Sequence, residues 1–145
     1  MKVEVREPST ELEWNNYYEL RYRVLRAPLH QPLGSEKNEG DSTGVHFALY
    51  EDRILKAIAR LDQSAEKIAQ VRFVAVESTV QGKGYGKIIM TAVENAAKDR
   101  GDEQMILHAR DYAVDFYLKL NYTLVEKSYL LFDVLQHFLM EKKLN

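Results

Sequence analysis

The chain contains no cysteine. That excludes disulfides, thiol nucleophiles and cysteine-ligated zinc, and leaves the fold to rest on its apolar core. Proline is scarce too: Pro8, Pro28 and Pro32 all fall in the first quarter, so no enforced break occurs after it. No apolar run approaches the roughly 20 residues of a membrane span. The opening residues, Met1 to Glu7, lack the apolar core of a signal peptide. Neither sign of charge dominates, and a net charge of −2 gives no basic field for duplex nucleic acid. These absences predict a cytoplasmic protein with no membrane, nucleic-acid or metal partner. The remaining composition, 46% hydrophobic and 29% charged over 145 residues, predicts one globular domain spanning 1–145.

What the chain does have is a run of glycines at alternate positions, Val80-Gln81-Gly82-Lys83-Gly84-Tyr85-Gly86-Lys87. A backbone so bare can turn several N–H groups toward one concave point. The apolar-periodic run Ile88 to Ala97 follows directly, so a helix N-terminus and its dipole add to an anion site. The alternative is a glycine-rich turn before an ordinary helix. Two other phosphate loops are excluded. The dinucleotide fingerprint needs a different third spacing and an early βαβ unit. In a P-loop, Gly82 and Gly86 would be one residue too close, and Ile88 would stand where the Mg²⁺-binding hydroxyl belongs.

Gln81, Gly84 and Gly86 satisfy the pattern Q/R-x-x-G-x-G/A. This resembles the pyrophosphate loop of the GNAT superfamily of acyl-CoA-dependent N-acetyltransferases. The preceding stretch Gln70 to Glu77 resembles the strand that leads into that loop. Further on, Ala113, Phe116, Tyr117 and Tyr122 match the family's second landmark, A-x-x-F-Y-x-x-x-G-F, with Asn121 in place of the glycine. Asparagine also tolerates the left-handed cap conformation, so the change is mild.

The periodicities give an element order that suits this resemblance. Lys2 to Arg6 alternates as a strand. Thr10 precedes Glu13 at capping-box spacing, opening a helix near Glu11 that carries Leu12, Trp14, Tyr17, Tyr18, Leu20, Tyr22 and Val24 until Pro28 and Pro32 end it. Leu33 to Gly44 is polar and holds Gly34, Gly40 and Gly44, which predicts one long mobile loop. Val45–Tyr50, Ile54–Leu61 and Lys67–Glu77 read as a three-strand meander, with Val71, Phe73 and Ala75 on one face of the last strand. A helix then closes at Gly101, Met105–Ala109 is a buried strand, Tyr112–Leu120 a short helix, and Thr123–Phe132 with His137–Lys142 a final pair. The predicted fold class is α+β, a mixed, mostly antiparallel central sheet flanked by helices, the GNAT-like acyl-CoA N-acyltransferase fold.

The resemblance implies acetyl-CoA as co-substrate and an amine acceptor. It implies a cofactor site along Val74, Ala75 and Val76, over Gln81, Gly82, Lys83, Gly84, Tyr85 and Gly86, and at Arg110. Family members often carry an asparagine at the position of Arg110; the guanidinium could donate there, or meet a phosphate or an acidic substrate. The resemblance also implies a splay between the Val76 strand and Met105–Ala109. A backbone N–H at Val74 or Val76 would meet the oxyanion, and Tyr117 would protonate the leaving thiolate as general acid. The alternative for Tyr117 is a core aromatic. Glu77, His46 and His108 are candidate bases, and catalysis through a water chain stays open. By period 2, His108 and Arg110 share a face.

Lys83, Lys87, Lys98 and Arg100 are candidates for the cofactor's phosphates. On the acceptor side, the first helix offers Tyr17, Tyr18, Arg21, Tyr22, Arg23 and Arg26, which suit an anionic or aromatic substrate; Arg21, Tyr22 and His108 are the leading candidates. A homodimer is left open. The rival functions are a non-catalytic acyl-CoA-binding module and a regulatory adaptor on the same fold.

Overall fold

The computed structural model describes residues 2–144. After strand β1 (Val3–Arg6), Thr10 turns extended and accepts the Glu13 N–H at 3.1 Å, which starts helix α1 (Glu11–Leu25). Only half of the expected capping box forms. The Glu13 carboxylate bonds the Ser9 N–H at 2.9 Å and the Arg6 guanidinium at 2.7 Å, pinning β1 to α1. Pro28 lies just past the helix end, inside the tight turn Ala27–Leu29, and the Leu25 carbonyl is left to other donors.

Strands β2 (Val45–Glu51), β3 (Ile54–Ala65) and β4 (Ile68–Val76) form the meander. Helix α2 (Tyr85–Asp99) crosses to β5 (Gln104–Arg110), and α3 (Val114–Lys119) leads to the hairpin β6 (Thr123–Leu131) and β7 (Leu135–Lys143). The seven strands lie in the order β1-β2-β3-β4-β5-β7-β6, and only β4 and β5 are parallel. This is the mixed, mostly antiparallel sheet that the periodicity predicts. No helix among the described residues is long and apolar enough to cross a membrane.

Each face of the sheet carries its own core. Ile89, Met90 and Val93 of α2 pack with Leu61, Val71, Met105 and Met140, while Tyr17 and Leu20 of α1 pack with Ala48, Ile58 and Ala75. Each such aliphatic side chain, taken fully out of water, contributes about 1.5–3 kcal/mol. Val71 and Ala75 therefore sit on opposite faces, contrary to strict alternation. The cause is a bulge: Phe73 and Val74 of β4 stand opposite Ala59 alone, between the pairs Arg60↔Arg72 and Ile58↔Ala75. Phe73 takes a left-handed φ of 55° there. Helix α2 also begins at Tyr85, three residues ahead of the apolar run, and Asn121 (φ 71°) and Gly101 (φ 99°) fill the left-handed caps as expected.

The segment 33–44 is not the mobile loop its glycines suggest. Asn38 caps a turn of 3₁₀ helix, Glu39–Ser42, which carries Asp41 inward. Asp41 Oδ1 accepts from both Arg21 and Arg60 at 2.8 Å, and both guanidinium groups are fully buried. Arg60 is also held by Asp62 at 2.7 Å. Burial pushes the Asp41 carboxyl up, but the hydrogen bonds from Arg21 and Arg60 outweigh it and leave the group below its ordinary range.

Removing Asp41 would leave buried Arg21 without a carboxylate and Arg60 with Asp62 alone. Asp41→Ala should cost about 3–5 kcal/mol in urea unfolding, and Asp62→Ala clearly less because Arg60 keeps Asp41. Since the folded carboxyl titrates below 3.8, its contribution is complete above that pH and is lost as pH falls through the lower folded value. A cost under about 1 kcal/mol would show that water reaches the cluster.

Candidate functional site

Beyond the bulge the sheet is split. Parallel pairing of β4 with β5 runs only from Ile68↔Gln104 to Gln70↔Ile106, after which the strands part. The gap opens into a cavity of about 760 Å³ that passes between α1 on one face and α2 and α3 on the other. The open edge of β4 has a definite polarity. The Glu77 N–H donates to Lys56 of β3 at 2.7 Å, so alternation turns the N–H groups of Val76 and Val74 away from β3, into the gap.

At the α2 end of the gap, Gly82 and Gly84 have φ of 85° and 88°, conformations that side chains with a Cβ resist. A Cβ at either would meet nothing within 4 Å, so their backbone faces open space. Gly86 has a different reason. A Cβ there would lie 2.9 Å from Phe116, so this glycine lets α3 close on the start of α2. The Gln81 side chain donates to the Val76 carbonyl at 3.3 Å, folding the loop back on β4. The Tyr85 hydroxyl donates to Glu51 and anchors the first turn. Lys87 lines the cavity and Lys83 does not. A bare loop, a helix N-terminus and a lysine converge on one end of the cavity, an arrangement that suits an anion.

The sequence model of the acetyltransferase (GNAT) domain matches residues 25–144. The chain belongs to the GNAT acetyltransferase family. An uncharacterized N-acetyltransferase of Bacillus subtilis (strain 168), YjcF, is 27% identical over 85% of this chain and 87% of its own. Among solved structures, an acyl-CoA N-acyltransferase from Pseudomonas aeruginosa superposes with a TM-score of 0.80 at 23% identity, covering 97% of this chain and 98% of that one. An aminoglycoside 6'-N-acetyltransferase complexed with coenzyme A gives 0.83 at 13% identity, over 100% and 98%. These structural likenesses establish the fold.

In this acetyltransferase the sequence-based candidates separate into two groups. Val74, Ala75, Val76, Gln81, Gly82, Gly84, Tyr85, Gly86 and Arg110 all line the cavity, as do His108 and Tyr117. The Tyr117 ring packs edge-on to Phe116 and Tyr122, and burial pushes its hydroxyl well above the ordinary tyrosine range. Arg110 is already engaged: its guanidinium donates to the Leu25 carbonyl at 2.7 Å and to the Tyr112 hydroxyl at 3.2 Å, capping α1 from across the cleft mouth. His108 Nδ1 is buried with no hydrogen-bond partner among the described residues. Burial, and then the Arg72 charge, hold its pKa below the ordinary 6.5.

The other group lies elsewhere. Arg21 is locked to Asp41, and the Tyr22 hydroxyl donates to the Gln31 carbonyl at 2.9 Å; neither lines the cavity, contrary to the acceptor role expected of them. His46 is bonded to Tyr17 and to the Asp41 carbonyl, both at 2.8 Å. Glu77 is gripped by Arg23 at 2.6 and 2.9 Å, which draws its carboxyl below the usual range against a smaller push from burial. Neither lines the cavity. Lys98 and Arg100 stand at the far end of α2 from Gly84, and Arg100 is paired with Asp102.

Sequence reasoning missed Arg72, Tyr129 and His137, which complete the α1-side wall. Tyr129 stacks on His137 at 4.4 Å and tilts against His108 at 5.3 Å. The pairing of β7 between β5 and β6, with a bulge in β6 near Tyr129, brings them together. No local pattern signals a contact of that kind. One consequence is measurable by imidazole NMR. Arg72→Gln should raise the His108 pKa, since a like charge that opposes protonation is gone, while burial keeps it below 6.5. An unmoved titration would place Arg72 too far away to matter.

Proposed function

We propose that this chain transfers the acetyl group of acetyl-CoA to a primary amine of a small molecule or peptide by direct attack. The observation that carries this reading is the continuous cleft from the Gly82–Gly84 cradle, along the open β4 edge, to the Tyr117 hydroxyl. The coenzyme A complex of the structurally similar aminoglycoside acetyltransferase supports the choice of co-substrate. Backbone N–H groups of Gly82 to Gly86, with Lys87, hold the pyrophosphate. The unpaired edge at Val74 and Val76 pairs with the pantetheine arm, and one of those N–H groups faces the thioester oxygen where negative charge develops.

The new N–C bond forms as the C–S bond breaks. An acceptor that arrives as ammonium gives up two protons, one before attack and one after, and sulfur takes up one. His108 is the base this reading favours, because its Nδ1 faces no protein partner and its lowered pKa keeps it neutral. Taking a proton from an amine of pKa near 10 is uphill for imidazole by roughly 4 units. The cationic cavity wall favours the neutral form of the amine as it does that of His108. Tyr117, held protonated by burial, donates to the departing sulfur. A thiolate of ordinary pKa about 8.5 is a weaker base than phenolate, so the hydroxyl acts chiefly by sharing its proton as charge develops.

Two variants test this. Gly84→Asp sets a carboxylate in the cradle and should abolish the calorimetric heat of acetyl-CoA binding; unchanged binding would reduce the loop to a turn. Tyr117→Phe keeps the ring and should lower the single-turnover rate about 10²-fold with acetyl-CoA affinity within a few-fold. Wild-type rates at every pH would return Tyr117 to the core.

A further inference from the structure

Among the described residues the cavity has no carboxylate in its wall. Its charged lining is Arg26, Arg72, Arg110 and Lys87. Outside the cavity Arg6, Arg21, Arg23, Arg60 and Arg100 each hold an Asp or Glu, and only Arg53, exposed in the β2–β3 turn, does not among the described residues. The three in the cavity have no acidic partner among the described residues.

Their placement makes the deficit sharper. Arg26 and Arg110 donate to the same oxygen, the Leu25 carbonyl, at 3.3 and 2.7 Å, so two like charges converge on one dipole. Burial lowers the Arg26 pKa, and the Arg110 and Arg72 charges add to the effect. Arg72 makes no hydrogen bond to any described residue; its guanidinium lies 5.2 Å from the centre of the Phe73 ring, the same ring that Arg26 approaches at 5.6 Å. A guanidinium with no side-chain partner, on a cavity whose described lining offers no carboxylate, forms an incomplete site. Unlike Lys87, Arg72 is not placed to serve the pyrophosphate. It pairs with Arg60 on the α1 face, upstream of the bulge, whereas the glycine cradle follows Val76 at the opposite end of the cleft.

We infer that the acceptor is a small primary amine that carries its own anion, a carboxylate or a phosphate, and that Arg72, flanked by Arg26 and Arg110, binds that anion. The inference rests on the acetyl-transfer reading and names its substrate class. Arg72 precedes Val74 by two residues across the bulge, so the chain separates them by at most about 7 Å. The anion site and the acyl carbonyl are thus a few bonds apart, which suits a compact amino acid or aminoalkyl phosphate rather than a polyamine. The charges act together. The acceptor's anion offsets only part of the three arginine charges, and the remainder favours the neutral amine that must attack.

The test compares matched acceptors, with rates expressed per free amine: glycine against glycinamide, β-alanine against β-alaninamide, and O-phosphoethanolamine against ethanolamine, with putrescine as the cationic control. Release of CoA thiol gives kcat/KM, and calorimetry gives acetyl-CoA affinity separately. The anionic member of at least one pair should be preferred by at least ~10-fold, with the carboxylate and phosphate pairs telling the two anions apart. That preference should shrink as salt is added. Arg72→Gln should remove it through KM, Arg72→Lys should restore part of it, and neither should alter acetyl-CoA affinity by more than about 3-fold. Equal use of acids and amides, or no turnover of any anionic amine, overturns the inference, and the wild-type panel alone is enough to support or overturn it. Loss of acetyl-CoA binding in Arg72→Gln would also overturn it by assigning the residue to the co-substrate. If the wild type gives no acetyl-CoA heat at all, the transfer reading fails and this inference with it.

Discussion

One extra residue in β4 governs the geometry of this protein. Phe73 and Val74 face Ala59 alone, and the strand turns at that point. Before the turn, β4 can pair with β5; after it, the two diverge and leave the N–H groups of Val74 and Val76 unmatched by any strand. A buried, unmatched β edge is costly in a protein at rest. Under the proposed function the edge is a binding surface, because an extended ligand arm can complete the ladder. A left-handed Phe costs of order 1–2 kcal/mol. Its ring is clamped by Arg21 at 4.3 Å and Arg60 at 4.9 Å, which helps to hold the conformation.

Those two arginines connect the bulge to the segment before β2. Asp41, carried in by the Glu39–Ser42 turn, bridges both, with Asp62 supplying the second negative charge, so the loop, α1 and β3 are fixed relative to the bulged strand. The protein thus distributes its carboxylates unevenly. They surround the structural arginines on the α1 face and are missing from the cavity a few residues away. A chain with net charge −2 still presents an electropositive cleft, so overall charge says little about the partner of a particular site.

The cofactor side was legible because its signals are local. Gly82, Gly84 and Gly86 lie within five residues, and each proves to be needed, two for left-handed backbone and one for the approach of Phe116. Strand periods, Thr10, Gly101 and Asn121 likewise act on their own neighbourhood. The acceptor side was not legible. Arg21 and Tyr22 share a helix with Val24 and Leu25, yet only the residues at its end, with Arg26 just beyond, reach the cavity, because Asp41 claims Arg21 and the Gln31 carbonyl claims Tyr22. His137 meets His108 and Tyr129 only through the pairing of β7 between β5 and β6. The bulge was also hidden, since Gln70 to Val76 alternates well enough to pass for a regular strand.

The central claim is that the edge opened by the bulge is where the thioester arm binds. Amide hydrogen exchange, residue by residue with and without acetyl-CoA, tests it directly. The account predicts that the Val74 and Val76 amides exchange at least about 10-fold more slowly in the complex. The Ala75 and Glu77 amides, which face β3, should be nearly unchanged. Uniform protection along β4, or none at Val74 and Val76 while acetyl-CoA is bound, would contradict it.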